Sequence, residues 1–86
     1  MKKVTDISKM IKSEIMRKLP LVEIAGEKRV LVENHLGVVG YSTEEIQIKV
    51  CFGVLVVLGC GLRFVQINRE QLVINGQIDS ITLLRR

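Results

Sequence analysis

Residues 46–67 read IQIKVCFGVLVVLGCGLRFVQI. Ile46, Ile48, Val50 and Phe52 alternate with Gln47, Lys49 and Cys51, and a period of two is the pattern of a half-buried strand. Val54–Leu58 is apolar at every position, as expected of a central strand covered on both faces. Gly59-Cys60-Gly61 interrupts the run and Leu62–Ile67 resumes it.

The same grammar extends outward on both sides. Leu21–Ala25 and Arg29–Glu33 are rich in branched residues and are separated by Gly26-Glu27-Lys28. Gly37 and Gly40 bracket Val38-Val39, while Asn68-Arg69 and Gly76 set off Gln71–Asn75 and Ile78–Leu83. Glycine and asparagine break strands because they tolerate turn conformations. Strands of about 5–7 residues recurring every 8–9 or so point to a sandwich, roll or barrel. The expected fold is mainly β, a compact antiparallel sandwich or roll of short strands. A β-solenoid is the alternative, since its coils have similar spacing.

Pro20 divides the chain into an arm, residues 1–20, and a β domain, residues 21–86. Val4, Ile7, Met10, Ile11, Ile15 and Leu19 fall on one side of a helical wheel, with Lys2, Lys9, Lys12 and Arg17 on the other. Asp6 or Thr5 can cap this amphipathic helix, and Pro20 ends it. Three uses fit such a helix: packing on its own sheet, lying on an anionic membrane surface, or docking on a partner. The candidate contact residues are Lys2, Lys9, Lys12, Arg17, Ile7, Ile11 and Ile15.

Charge agrees with this division. The 86 residues carry a formal net charge of +4. Lys2, Lys3, Lys9, Lys12, Arg17 and Lys18 against Asp6 and Glu14 account for all of the excess, so the β domain is neutral. Basic character therefore belongs to the arm and not to the fold surface. Apolar residues make up 48% of the chain and aromatic residues only 3%. The first figure excludes a disordered tail. The second weakens a nucleic-acid function, because single-strand binders stack bases on exposed aromatics. A small β-barrel nucleic-acid module with a basic arm is kept as the alternative function.

Catalytic constellations are hard to find. His35, the single histidine, follows Glu33 and Asn34, and a His beside a carboxylate can act as a general base. The plainer reading makes Asn34-His35-Leu36-Gly37 a hairpin corner, with Asn and Gly at positive φ. Ser42-Thr43-Glu44-Glu45 reads as a solvated turn, since neighbouring carboxylates in a strand face opposite ways. Gly59-x-Gly61 lacks the third glycine and the following helix of a dinucleotide loop. Cys51 and Cys60 would lie at opposite ends of one strand, about 20 Å apart, too far for a disulfide. With one His they fit no zinc motif. The longest uncharged run, Val50–Leu62, is shorter than the roughly 20 apolar residues of a membrane-spanning helix. A cytoplasmic protein with reduced thiols, no cofactor, no metal and no small-molecule substrate is expected.

From Pro20 to Leu84 the chain resembles the YabP/YqfC family of sporulation proteins. The resemblance rests on Arg29-Val-Leu-Val-Glu33-Asn34-His35-Leu-Gly37, then Tyr41-Ser42 and Ile46-x-Ile48. Gly53-x-Leu55-x-Val57-x-Gly59-x-x-Leu62 and Leu72-x-Ile74-x-Gly76-x-Ile78 complete it. Glu33, Asn34, His35, Gly37, Tyr41, Gly53, Gly59 and Gly76 would be its structural motif residues. A short helix before the proline makes the chain more similar to the YqfC branch. The resemblance implies a non-enzymatic protein of the mother cell in endospore-forming bacteria, linked to assembly of the layers around the spore. It also implies a membrane-anchored sporulation partner of YqfD type, hence a place at the outer forespore membrane. The apolar content adds an expectation of homo-oligomers, with Val54–Leu58 and Ile78–Leu83 as contact sources.

Overall fold

The computed structural model describes residues 19–85. The expected helix of the arm falls on residues outside this range, apart from Leu19. The described chain forms six strands: β1 (Leu21–Ala25), β2 (Arg29–Glu33), β3 (Gly37–Tyr41), β4 (Glu45–Val50), β5 (Gly53–Ile67) and β6 (Gln71–Arg85). They make one sheet in the order β1-β2-β6-β5-β4-β3, with every neighbouring pair antiparallel. The antiparallel pairing replaces the solenoid alternative, whose coils would stack in parallel.

Two expectations about strand length are corrected. Val54–Leu58 and Leu62–Ile67 belong to one 15-residue strand, and Gln71–Asn75 and Ile78–Leu83 to another. The glycines between them bend the strands instead of reversing them. The β5–β6 register shifts at Leu58/Gly59, Cys60/Arg63 and Phe64/Gln66, and such bulges bend and twist the strand that carries them. Gly61 (φ 62°) and Gly76 (φ 139°) take backbone conformations that side chains resist. They also meet: a Cβ on Gly76 would lie 2.7 Å from the Gly61 carbonyl oxygen. In the third correction, β4 ends at Val50 and Cys51-Phe52 form the turn.

The bend folds the sheet over on itself. In a flat sheet β2 and β3 would stand four strand spacings apart, about 19 Å. The connector Asn34–Leu36 reaches only about 14 Å from Glu33 to Gly37. The sheet therefore rolls until its two halves face each other. One half holds β1, β2, Gln71–Asn75 of β6 and Arg63–Ile67 of β5. The other holds β3, β4, Gly53–Leu58 of β5 and the end of β6. The core lies between them: Val30, Val32, Leu72 and Ile74 from the first half, and Ile46, Ile48, Val50, Leu55 and Val57 from the second. Leu62, 1% exposed, fills the crease.

Val54–Leu58 does occupy a central position between β4 and β6. Leu55, Val56 and Val57 are buried, but Val54 is half-buried and Leu58 is exposed. The expected cover on both faces holds only for its middle.

The two outer hairpins hold the bend in place. Thr43 and Glu44, in the turn after β3, accept from the Leu62 N–H (2.8 Å) and the Gly59 N–H (3.0 Å). Glu27 and Lys28, in the turn after β1, accept from the Ile78 N–H (2.8 Å) and the Gly76 N–H (3.1 Å). Each outer turn thus carries its ladder past the last paired strand residue and satisfies backbone donors on the outer side of the bend.

Candidate functional site

The polar motif residues gather where β2 crosses to β3. Asn34 adopts φ 63° and Gly37 φ 126°, as the turn chemistry of the sequence implied. The corner is not a hairpin, however, because β2 and β3 are not paired. It is an arch between the two halves of the folded sheet. The Asn34 N–H donates to the Glu70 carbonyl (2.7 Å), and the Leu36 N–H donates to the Lys49 carbonyl (2.7 Å). The Asn34 side-chain amide donates to the Leu19 carbonyl (2.9 Å), tying down the entry to the domain.

His35 sits inside this arch, 9% exposed. Its Nδ1 accepts the Gly37 N–H at 3.0 Å. A backbone N–H can only donate, so the ring proton is assigned to Nε2. Nε2 then donates to the Asn68 carbonyl at 2.8 Å. Asn68 is itself fixed, its Oδ1 accepting from the Glu70 and Gln71 N–H groups in the β5–β6 turn. The imidazole therefore pins the arch to the tip of the central hairpin, and both ring nitrogens are engaged with backbone. Substituting His35→Ala strands the part-buried Gly37 N–H and the Asn68 carbonyl. The expected cost is about 1–3 kcal/mol, read as a lower urea midpoint with the fold retained. An unchanged midpoint would refute the pinning role.

The other motif residues are also placed by packing. Tyr41 lies 5.3 Å from Phe64, centroid to centroid, and its hydroxyl donates to the Leu62 carbonyl (3.3 Å). Gly53, Gly59 and Gly76 lie where β5 and β6 approach too closely for a side chain: a Cβ would fall 2.0 Å from the Leu84 oxygen, 1.9 Å from the Gln77 oxygen and 2.7 Å from the Gly61 oxygen. Glu33 is half-buried at the end of β2, across from Leu21 and Gln71. The basic and apolar arm residues, Lys2, Lys9, Lys12, Arg17, Ile7, Ile11 and Ile15, lie outside the described residues.

Chemistry-bearing groups do not converge elsewhere in the described residues. Ser42 Oγ accepts from the Glu44 and Glu45 N–H groups, closing the solvated turn read from the sequence. Cys51 and Cys60 are free, exposed thiols. Among the described residues no three His, Cys, Asp or Glu side chains group as a metal site would require. No described helix is long and apolar enough to cross a membrane. Of the aromatics, Phe52 lies under the Arg85 guanidinium at 5.8 Å, and Phe64 packs on Tyr41.

What the arrangement does present is apolar surface. Ile24, Leu36, Val39, Tyr41, Val65, Ile67 and Leu84 are each more than half exposed.

These features define a small, folded-over antiparallel β module whose buried polar groups serve its own backbone. Residues 18–86 match the family model described as the YabP family, and the chain belongs to that family. Membership points to a sporulation-related protein. No curated protein and no solved structure shows a significant match.

Three structural roles escaped the sequence reading. The outer turns supply carbonyls to the crease, which only tertiary pairing reveals. Asn68 anchors His35, although the two are far apart in sequence. Gly61 and Gly76 face each other. The last had a usable signal, since both lie at similar distances from the Asn68–Glu70 turn and so fall opposite one another in a hairpin.

Proposed function

We propose that the chain is a non-enzymatic assembly or adaptor module in spore-envelope formation, of the YqfC branch. It works in the mother cell at the outer forespore membrane. Its β domain self-associates or docks on a membrane-anchored sporulation partner of YqfD type. The arm, through Lys2, Lys9, Lys12 and Arg17 with Ile7, Ile11 and Ile15, meets anionic lipid or that partner. The reading requires no cofactor, metal or small-molecule substrate.

One observation carries the assembly role. The sole histidine is consumed by backbone, while Leu36, Ile24, Val39, Ile67 and Leu84 stay exposed at 54–61%. These exposed apolar side chains are surface that a second copy or a partner would cover. The competing nucleic-acid reading would need several exposed aromatic faces, whereas Phe52 and Phe64 are half-buried and Tyr41 alone is more than half exposed.

Light scattering of the purified chain across a concentration series is expected to show mass rising above 9.7 kDa. A strict monomer at high concentration would remove self-association. For the arm, flotation with vesicles containing anionic lipid is expected to be lost when Lys2, Lys9, Lys12 and Arg17 are all changed to Glu. Persisting flotation would reject the electrostatic contact.

A further inference from the structure

The folded sheet leaves one long strand half-paired. β6 bonds β5 along nearly its whole length, but β2 accompanies it only over Gln71–Asn75. The Glu27-Lys28 turn continues that side as far as Ile78. From Asp79 to Arg85 no described strand pairs with the other side of β6. Over Ser80–Arg85 the strand is regular, in unbroken register with Leu58–Gly53. All of these residues are exposed except the half-buried Ile81. An open, regular edge of this kind is a template for another strand.

Three other edges exist, and each is less suited. β3 has a register shift between Val38 and Gly40, and the second half of β5 has two around Arg63 and Gln66. In both, the bulge lies within the edge and twists it away from further pairing, whereas the β6 bulge, at Asp79, lies before the regular stretch Ser80–Arg85. β1 is regular, but an antiparallel pair of two β1 strands centred on the middle residue would set Glu23 against Glu23, and like charges directly opposite are destabilising.

The β6 edge has the opposite property. Its sequence, Asp79-Ser-Ile-Thr-Leu-Leu-Arg85, is self-complementary about Thr82. We propose that two copies of this chain pair antiparallel through the regular stretch Ser80–Leu84 with a two-fold axis at Thr82, so that Asp79, the bulge residue just before that stretch, flanks each end of the contact where Arg85 of the other copy lies. This rests on the self-association reading above and specifies its contact. Ile81 then lies opposite Leu83 of the second copy, and Ser80 opposite Leu84. Ile81 and Leu83 share the face of Val57 and Leu55, their cross-strand partners. That apolar row therefore runs unbroken from one folded sheet into the next, and both ends of the contact are flanked by opposite charges. An isologous contact of this type closes on itself and yields a dimer.

Charge reversal in the full chain tests the register. Asp79→Arg and Arg85→Asp each place like charges at both ends of the contact. Each is expected to raise the dimer dissociation constant about tenfold in sedimentation experiments. The double variant Asp79→Arg/Arg85→Asp is expected to recover dimerisation, and an equimolar mixture of the two single variants to form heterodimers. In a Cys51→Ser/Cys60→Ser background, Thr82→Cys is expected to give a covalent dimer on mild oxidation while Ser80→Cys does not, because only position 82 lies on the axis. Circular dichroism of each variant checks that the fold is intact. Self-association unchanged by either single reversal, or Ser80→Cys linking as well as Thr82→Cys, overturns the β6 contact and leaves self-association standing. A wild-type chain that stays monomeric overturns both.

Discussion

Gly59→Ala is expected to abolish most of the domain's stability. The added Cβ would lie 1.9 Å from the Gln77 carbonyl oxygen and 3.0 Å from Leu62 Cδ2. The first contact is with backbone, so no rotamer change relieves it. Retreat of β5 is opposed from the other side, where the Gly59 N–H is held by the Glu44 carbonyl at 3.0 Å. Either the hairpin opens at the crease or that bond is lost. Both expose Leu62 and the core beneath it. Disruptions of this type reach about 3–5 kcal/mol, against a total near the lower end of the usual 5–15 kcal/mol for so small a domain. Urea unfolding followed by circular dichroism should show the midpoint falling by half or more. Gly26→Ala is the control. It has nothing within 4 Å of the new Cβ but sits at φ +61°, so it carries only the conformational penalty of about 1–2 kcal/mol. If the two variants are equally stable, close approach at the crease is not what selects glycine there.

Leu62→Ala is expected to cost about 2–5 kcal/mol. Leu62 is 1% exposed and belongs to a core cluster drawn from both halves of the sheet. Its backbone is fixed at both ends: the N–H donates to Thr43 and the carbonyl accepts from the Tyr41 hydroxyl. With the backbone so held, the crease cannot collapse into the space the side chain leaves, which places the cost toward the upper part of that range. Leu36→Ala offers the contrast, since Leu36 is 61% exposed and should shift stability by no more than about 0.5 kcal/mol. A small effect at position 62 would mean that the two halves are joined by their backbones alone.

Much of the architecture could be read from the chain. Leu21–Ala25 and Arg29–Glu33 are strands at the expected boundaries, because branched runs flanking a glycine turn leave little choice. The alternation from Ile46 to Val50 correctly put Ile46, Ile48 and Val50 in the core. The sequence misled at Gly59, Gly61 and Gly76. A glycine between two apolar runs looks like a reversal when one strand is read alone. Here the facing strand bends at the same level, and that is a property of the pair. The arch at Asn34–Gly37 was legible as a place where φ turns positive, but not as a bridge between sheet halves. Its direction depends on β6, β5 and β4 coming between β2 and β3, which no local pattern encodes. The role of His35 followed the same course: a corner residue by sequence, an anchor on a distant turn by geometry.

The folded sheet also carries an asymmetry in how its pairings are made. β3 to β4, β4 to β5 and β5 to β6 each join segments adjacent in the chain. β2 to β6 joins Val30 with Ile74, and that closure is the entropically demanding one. The β1–β2 unit is thus the part whose detachment restores most chain freedom. When it lifts away, Leu72 and Ile74 lose their cover, and the open side of β6 lengthens from a short terminal stretch to the entire strand. A breathing motion at one end of the molecule would in this way expose a sticky ribbon along its middle, so amide exchange in Val30–Val32 should report the onset of clumping before any global melting is seen.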